Sequence, residues 1–411
     1  MNIWFNVLMY LVWFLATFYS VYFFLTIAVY RKDLFEKRKL PRSFRPRVTF
    51  LIPAYNEAKS IADSLKSMKK VTYKNIEFIV LNDGSKDDTS KIVRENIKGD
   101  DRFSFIDNKE NKGKAGVLNQ GIKICTGDFV ACMDADSVVE PNIVQKVIPY
   151  FLDEKTGAVT VSVEVKNPKS FLQKAMAVEF AIGLSLFLKI FSYLKCVFVT
   201  PGPFSMYRKS MLNEIGGYDE TNITEDHEIA FRVNKSKYNI ENCIDARVYT
   251  ILPRTFKQLY VQRRRWYSGA IQTFMKHRKM MFKKESGFFG VYIPFHYTLI
   301  ILGLFTFLAS IYLSISRFIR EILYYQYTGF NFFDHFSLSL DPLMYGRVNL
   351  LGTSLVAAAM ILMIVGIIVT RRKFRNYNLG LIGFPLLFIL YQVYWGSAIW
   401  NAINNKKVKW R

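Results

Sequence analysis

Four long stretches of the chain carry no Asp, Glu, Lys or Arg, and they lie at its two ends. These stretches are residues 6–30, 288–316, 348–370 and 376–405. A helix of about 20 apolar residues spans the hydrocarbon core of a bilayer. We therefore predict about four transmembrane helices, one in an N-terminal anchor, residues 1–32, and three in a C-terminal region, residues 286–411.

The middle of the chain, residues 33–285, begins by alternating short apolar runs with amphipathic segments. The apolar runs predict strands at 48–52, 76–81, 102–106, 129–133 and 157–165. The amphipathic segments predict helices at 57–70, 86–97, 114–125 and 141–152. This order is typical of an α/β domain with a mostly parallel sheet and helices on both faces. Such sheets bind ligands beyond the carboxyl ends of their strands.

Two later helical stretches, 171–195 and 255–285, are apolar or aromatic but interrupted by charges. In the first stretch, Lys174, Glu179 and Lys189 leave no uninterrupted run long enough to cross a membrane. We predict that both are interfacial helices, which lie along the membrane surface with their apolar side chains in the lipid.

Positive charge is concentrated beside the predicted spans. The chain has 56 Lys and Arg against 33 Asp and Glu, a net charge of +23. Basic clusters at 31–47, 276–284 and 371–375 follow or precede apolar runs. Basic loops stay in the cytoplasm, so we predict a cytoplasmic central domain and an external N-terminus. Positive charge beside apolar runs indicates that it sets the membrane topology and binds anionic lipid, rather than binding nucleic acid.

The C-terminal tail, residues 406–411, does not follow this rule. It is basic, yet four spans would place it outside the cell. Either the tail is a weak late signal, or the last apolar run, broken by Gly383 and Pro385, does not fully cross the membrane. The sequence leaves both interpretations open.

Acidic residues follow two of the predicted strands. Asp134 and Asp136 are two positions apart after an apolar run, and Asp83 follows the strand at 76–81. Alternate residues of an extended chain point the same way, so the first two carboxylates can share one hard cation, Mg²⁺ or Mn²⁺. Solvated acidic turns are the alternative interpretation of both motifs.

Two further motifs begin predicted helices. Lys114 lies between two glycines at the start of a predicted helix. A lysine and the free backbone N–H groups of a helix start can bind phosphate. A surface loop with no function is the alternative interpretation of this motif. Asp226 follows Thr224, a plausible helix cap, and could instead act as a general base for an acceptor hydroxyl. The first strand is not followed by the glycine pattern of a nicotinamide-dependent enzyme, which argues against a dehydrogenase.

A basic aromatic motif lies in the second interfacial stretch. Gln262 and Arg265 are three residues apart, so they share a helix face. The planar guanidinium of arginine suits a pyrophosphate leaving group, and Trp266 can offer an apolar platform for a sugar ring. A basic membrane-surface helix with an interface tryptophan is an equally good interpretation of this motif alone.

Taken together and in this order, these motifs resemble the membrane-bound family 2 glycosyltransferases. The chain is similar to the processive β-polysaccharide synthases, which make poly-N-acetylglucosamine, hyaluronan, chitin and cellulose, and most of all to the first of these. The resemblance covers roughly residues 47–269. It implies a nucleotide-diphospho-sugar-binding domain of the GT-A fold, accompanied by interfacial and transmembrane helices.

The resemblance also implies a set of site residues. The positions implied for the donor are Tyr55, Glu57, Asp83, Lys114, Asp134, Gln262 and Arg265. The positions implied for the metal are Asp134 and Asp136, for the catalytic base Asp226, and for the acceptor Trp266 and Gly202. The loop around Gly202 departs from the form typical of the family, which leaves the acceptor open.

The function implied is inverting transfer of a sugar from a nucleotide-diphospho-sugar, UDP-linked, to a growing β-linked polysaccharide at the cell membrane. Mg²⁺ or Mn²⁺ is the implied cofactor, and membrane lipid and the polymer are the implied partners, with no nucleic acid. One alternative is a single transfer onto a polyprenyl phosphate or another lipid acceptor. Another is a transport or scaffold protein that binds nucleotide-sugar without turnover.

Overall fold

The computed structural model describes residues 3–35, 37–328, 347–370 and 378–404. The predictions made for the basic loop 371–375 and the tail 406–411 lie outside these residues. The chain divides into two compact units, residues 1–25 with 293–362 and residues 26–292 with 363–411.

Helices and strands are interspersed between residues 48 and 250, and helices alone precede and follow this part among the described residues. The α-helices are α1 (Ile3–Val29), α2 (Ile61–Lys69), α3 (Thr89–Ile97), α4 (Gly113–Ile124), α5 (Ile143–Val147), α6 (Phe171–Ala181), α7 (Leu188–Tyr193), α8 (Lys209–Glu214), α9 (Glu225–Lys235), α10 (Phe256–His277), α11 (Gly287–Thr328), α12 (Arg347–Val369) and α13 (Asn378–Ile403). The strands are β1 (Val48–Ala54), β2 (Ile76–Asp83), β3 (Phe103–Asn108), β4 (Phe129–Cys132), β5 (Val138–Val139), β6 (Thr156–Val165), β7 (Ser205–Arg208) and β8 (Asn239–Thr250).

The strands form one eight-stranded sheet in the order β3-β2-β1-β4-β7-β6-β8-β5. Strands β3, β2, β1 and β4 are parallel, and β6 pairs with β8 in parallel. Strand β7 is antiparallel to both β4 and β6, and β5 is antiparallel to β8. The predicted mostly parallel α/β sheet is confirmed, while β5, β7 and β8 were not predicted.

The core of the second unit lies around the central strands. Strand β1 is almost entirely buried, and its residues Phe50 and Ile52 are fully inaccessible. Such near-continuous apolar strands are typical of a parallel sheet that is covered on both faces. Ring contacts from Phe50 to Phe78 and Phe204 join β1 to its surroundings, with centroid separations of 5.2 and 5.6 Å.

Four helices among the described residues are long and apolar enough to cross a membrane. They are Ile3–Val29, Phe171–Tyr193, Lys284–Tyr324 and Asn378–Ile403. Three of them coincide with predicted spans, and the fourth predicted span, 348–370, coincides with α12, whose segment Ala357–Val369 is apolar. Helices of this number and kind are typical of an integral membrane protein.

The stretch predicted as the first interfacial helix is the remaining candidate. Helix α6, a π-helical segment at Ile182–Phe187 and α7 follow one another without a break. Most of this stretch is buried inside the second unit. Two of its charges have partners there, since Glu179 pairs with Arg263 and Lys189 donates to the Asn242 carbonyl oxygen at 3.0 Å. Its place at the membrane surface stays a prediction.

Candidate active site

The candidate site lies where β1, β2 and β4 end. Because these strands are parallel, the segments that follow them meet at one edge of the sheet. Tyr55 and Glu57 follow β1, Asp83 ends β2, and Asp134 and Asp136 follow β4. The fold therefore brings five of the predicted site residues to the same edge.

The loop after β1 is pinned to the loop after β2. Asn56 adopts a left-handed conformation with φ of 56°, which asparagine tolerates well. Its backbone N–H donates to Ser85 Oγ at 2.9 Å, and its Oδ1 accepts from the Lys86 N–H at 2.8 Å. The Glu57 N–H donates to Thr89 Oγ1 at 2.8 Å. These contacts fix Tyr55 and Glu57 at the edge of the sheet.

Asp83 holds the loop that leads to α4. Its Oδ1 accepts from the Lys112 N–H at 2.6 Å, and its carbonyl oxygen accepts from Asn111 Nδ2 at 3.1 Å. Burial raises the pKa of Asp83, and the backbone N–H groups of Lys112 and Gly113 partly offset this rise. Its side chain thus supports the approach to Lys114, and its predicted contact with the donor stays a prediction.

Lys114 lies at the centre of the site. Its Nζ is 2.6 Å from Asp134 Oδ1 and 2.7 Å from Glu225 Oε1. Burial alone would lower the pKa of Lys114, but Asp134, Glu225 and Asp226 outweigh it and hold the pKa well above its ordinary value. The lysine is therefore charged, and it joins the end of β4 to the start of α9.

Gly202 lies against this ion pair. Its carbonyl oxygen accepts from the Asp134 N–H at 3.1 Å, because β7 pairs with β4 just beyond this point. A Cβ atom at this position would lie 2.7 Å from Asp134 Oδ2 and 2.8 Å from Lys114 Nζ. A side chain at this position would displace the ends of the Asp134 and Lys114 side chains and disturb their ion pair. The structure therefore places Gly202 beside Lys114 and Asp134, and its role toward the acceptor stays a prediction.

The carboxyl group of Asp136 lies near two other carboxylates. Burial, together with the carboxylates of Asp134 and Glu57, raises the pKa of Asp136 to about 7. Ser137 Oγ donates to its Oδ1 at 3.1 Å. Among the described residues, no three His, Cys, Asp or Glu side chains are grouped as a metal site of their own. A hard cation that takes one or two carboxylates and completes its shell with phosphate and water fits this arrangement.

Asp226 lies in the first turn of α9. Its carbonyl oxygen accepts from the N–H and the Oγ1 of Thr200, at 3.1 and 2.8 Å. Burial and the neighbouring Glu225 raise the pKa of Asp226 to about 7, although Lys114 and Arg265 act against this rise. For Glu225 the balance is reversed, because Lys114 and Arg265 outweigh burial and lower its pKa. The pKa values of the two adjacent carboxylates are therefore shifted in opposite directions.

Helix α10 brings the remaining predicted residues. Arg265 interacts electrostatically with the carboxylates of α9. Gln262 Oε1 is buried and has no hydrogen-bond partner in the described part of the chain. The Trp266 ring stacks on Phe180 with a centroid separation of 6.5 Å, and the Arg263 guanidinium lies 4.2 Å from its centre. Trp266 is thus held against α6.

Helix α10 also touches the start of α9 directly. A Cβ atom at Gly269 would lie 2.2 Å from Thr224 Oγ1 and 2.8 Å from Thr224 Cβ. Gly269 and Glu225 are the site features that the sequence motifs did not single out. Glu225 was visible as a neighbour of Asp226, and only the fold shows that it pairs with Lys114.

A small cleft of about 10 Å³, roughly the space of one water molecule, opens beside these charges. Lys114, Gly202 and Asp226 line it together with the apolar Pro53 and Leu118. The fold thus brings together Lys114, Asp134, Asp136, Gly202, Asp226 and Arg265, with Glu57 nearby. Asp83 and Trp266 instead make supporting contacts at the margins, and Tyr55 is half-buried at the end of β1.

Comparison with known proteins identifies the domain. The model of the glycosyl transferase family 2 matches residues 49–216, from β1 to the loop that follows α8. This segment has the sequence pattern of a glycosyl transferase family 2 domain. It includes the strand ends, Lys114 and Gly202, while α9 and α10 lie beyond the matched segment.

Two curated relatives extend the likeness. The chain is 33% identical over 258 residues to the poly-beta-1,6-N-acetyl-D-glucosamine synthase of Staphylococcus aureus. It is 31% identical over 266 residues to the synthase of the same name from Staphylococcus epidermidis. Each match covers 62% of this chain and 62% of the relative, so it spans less than two thirds of the relatives' length.

A solved structure shares the fold over nearly the whole chain. The mannosyltransferase from Pyrobaculum calidifontis, solved in complex with GDP-Man and Mn²⁺, superimposes with a TM-score of 0.60. The superposition covers 98% of this chain and all of the other, at 18% sequence identity. This likeness confirms the predicted glycosyltransferase fold of the GT-A type.

Proposed function

We propose that this chain is an inverting hexosyltransferase that moves a sugar from a nucleotide-diphospho-sugar to a growing β-linked polysaccharide. The observation that carries the proposal is Lys114, paired with Asp134 and Glu225 beside the Asp226 carboxylate. A buried cation beside a carboxylate of raised pKa provides charge for a diphosphate and a base for a hydroxyl group.

Asp226 is the residue we assign as the general base. The acceptor hydroxyl gives its proton to the Asp226 carboxylate, and the acceptor oxygen forms a bond to the anomeric carbon of the donor. The bond from that carbon to the diphosphate breaks, and its electrons leave with the nucleotide. A single displacement from the opposite face inverts the anomeric centre, so an α-linked donor gives a β-linkage. No protein nucleophile is required.

Positively charged groups of the cleft favour departure of the nucleotide diphosphate. Lys114 is charged and lies at the start of α4, where helix N–H groups also favour anions. Arg265 lies on α10, and its guanidinium offers a planar set of hydrogen-bond donors to the diphosphate. Asp134 and Asp136 would hold a divalent cation, Mg²⁺ or Mn²⁺, which would neutralise diphosphate charge when bound. Glu57, Asp83 and Gln262 complete the donor site that we propose.

The relatives guide the choice of donor and product. Those from Staphylococcus are named as synthases of poly-β-1,6-N-acetyl-D-glucosamine, which makes UDP-N-acetylglucosamine the first donor to test. Trp266 and the loop containing Gly202 are the acceptor side of the site in this proposal. The domain works in the cytoplasm beside the cell membrane, because the basic segments next to the apolar runs favour that side.

Product size tests the proposal. The full chain, reconstituted in lipid nanodiscs, would be given labelled UDP-N-acetylglucosamine, UDP-glucose or GDP-mannose, each with a short glycan primer or with polyprenyl phosphate. The proposal predicts β-linked polymer from one UDP-sugar. A single sugar on polyprenyl phosphate would support the lipid-modifying alternative. Donor binding without release of nucleotide diphosphate would contradict both and favour a non-catalytic protein.

A further inference from the structure

A buried arginine joins three helices behind the proposed acceptor side. Arg263 of α10 is only 2% exposed. Its Nη2 donates to Glu179 Oε2 of α6 at 2.8 Å, and Tyr391 Oη of α13 donates to the same oxygen at 2.5 Å. One carboxylate oxygen therefore ties α10 and α13 to α6. We call these three residues the Arg263 cluster.

Aromatic rings surround the guanidinium of the Arg263 cluster. Its Cζ lies 4.2 Å from the centre of the Trp266 ring, 5.4 Å from Tyr391 and 5.9 Å from Phe180. Trp266 is three residues further along α10, so both side chains lie on the same helix face. The indole therefore contacts both Phe180 and a fixed cation, and these two neighbours also contact each other.

Helix α10 has further contacts with the same membrane helix. The Tyr267 ring stacks on Trp395 of α13 with a centroid separation of 4.2 Å and an interplanar angle of 7°. Tyr260 Oη lies 2.8 Å from Ser397 Oγ of α13. Contacts on both sides of Arg263 therefore fix α10 on α13, and the cluster lies in the middle of this contact.

Stability alone does not require a buried ion pair. Apolar side chains of similar volume can often replace such a pair without loss of stability, whereas removal of one partner leaves an uncompensated charge. A planar guanidinium held by one carboxylate does, however, define an orientation that apolar groups do not. The guanidinium is in direct contact with the Trp266 ring, 4.2 Å from its centre.

We propose that Arg263, fixed by Glu179 and Tyr391, is a positioning residue for the acceptor and acts through Trp266. The inference rests on the proposed function, because it deepens the role of the acceptor side. It places no chemistry on Arg263. The cluster orients Trp266 so that an acceptor sugar, rather than water, reacts with the donor.

The test compares transfer with donor hydrolysis in the full chain in nanodiscs. The double variant Arg263→Met with Glu179→Leu replaces both charges by apolar side chains and so avoids a lone buried charge. We expect the kcat for transfer to a glycan primer to fall at least tenfold. The donor KM should stay within about twofold of the wild-type value. Hydrolysis of the donor by water should also continue, because the donor site is intact.

The outcomes separate this inference from the proposed function. Wild-type protein that transfers no sugar from any donor would end the proposed function itself. A wild type that transfers, with a double variant whose ratio of transfer to hydrolysis is unchanged, would overturn the role of Arg263 alone. Equal losses of transfer and hydrolysis would also overturn it, because they indicate a general structural defect.

Two further variants complete the design. Tyr391→Phe removes one hydroxyl group from the cluster, and it carries the test if the double variant does not fold. We expect a three- to tenfold fall in the ratio of transfer to hydrolysis, and an unchanged ratio would overturn the inference. Arg102→Met is the matched control, since Arg102 also pairs with a carboxylate, Asp100, and lies over a ring, Phe78, outside the site.

Discussion

At the scale of single residues, the site depends on an imbalance of charge. Two cations, Lys114 and Arg265, act on three carboxylates, Asp134, Glu225 and Asp226. Lys114 pairs closely with the first two, which leaves Asp226 with the least compensation. A carboxylate in this state holds a proton more readily than usual, and a general base near neutral pH needs this property.

Replacement of this base is the first prediction. Asp226→Asn keeps the size of the side chain but cannot accept the acceptor proton. We expect transfer to fall by about 10²–10⁴-fold, the usual contribution of a general base, while donor affinity stays within a few-fold. Rates of sugar incorporation and equilibrium binding of the donor measure the two effects.

The matched control is Asp101→Asn, the same change at an exposed position before β3. It should leave both transfer and donor binding unchanged. Transfer by Asp226→Asn at the wild-type rate would remove Asp226 from the mechanism.

The second prediction concerns pH. The pKa of Asp226 is raised to about 7, so the base is ionised above that pH and protonated below it. The pKa of Asp136 is also raised to about 7, and a proton there would oppose cation binding, so both effects have the same sign. We expect kcat/KM, which reports the free enzyme, to rise through about pH 7 and to fall about tenfold or more per pH unit below it. A flat profile between about pH 5.5 and pH 8 would contradict this account.

The motifs located residues that the fold brings together, but they did not predict the contacts among them. Asp134, Asp136 and Lys114 were accessible from the sequence because strand ends and helix starts are local features. Glu225 was not, because its pairing with Lys114 joins positions more than 100 residues apart. The support that Asp83 gives to the loop before α4 likewise depends on folded backbone, which a motif does not describe.

At the scale of elements, α10 is the part that connects the site. One face holds the segment before α9: Lys276 Nζ lies 2.5 Å from Asp219 Oδ2, and Gln272 Oε1 accepts from the Ile223 N–H at 3.2 Å. Gly269 lies against Thr224 on the same side. Because Arg265 is on this helix too, a shift of α10 would move Arg265 relative to Asp226.

The third prediction uses this close approach. Gly269→Ala puts a methyl group 2.2–2.8 Å from the Thr224 side chain, so α10 must move away from α9. A displacement of about 1 Å can reduce catalysis about 10²-fold, and overpacking costs about 1–3 kcal/mol of stability. We expect a loss of transfer larger than the loss of stability explains, measured by kinetics and by thermal unfolding.

The control for this change is Gly183→Ala, since a Cβ atom at Gly183 would meet nothing within 4 Å. It should leave transfer unchanged. A Gly269→Ala variant with wild-type transfer would show that the packing of α10 on α9 does not matter.

Some elements escaped prediction for a physical reason. Strand β8 breaks the expected alternation, because the buried Asn242 donates to Thr160 Oγ1 at 2.9 Å and the buried Glu241 accepts from Ser192 Oγ at 2.7 Å. Strand β7 has only four residues and carries no clear pattern. The partners of Glu179 and Lys189 in α6 and α7 lie on elements distant in sequence, so the sequence did not predict these contacts.

At the scale of the whole molecule, the proposed topology is testable through thiols. All four native cysteines are buried, so membrane-impermeant maleimide should not label them. The fourth prediction is that Lys39→Cys, at an exposed position after α1, reacts in inside-out vesicles and not in intact cells. Labelling of Lys39→Cys from outside would refute a cytoplasmic domain.

Cation-dependent turnover tests the central claim most directly, namely that the charged cleft is a site of sugar transfer from a nucleotide donor. The full chain in nanodiscs would receive UDP-sugars and a primer with Mn²⁺ or Mg²⁺, then a chelator, and nucleotide diphosphate release and sugar incorporation would both be followed. The account predicts that both appear together, stop with the chelator and return with added cation. Release that persists under chelation, or no release from any donor, would contradict it.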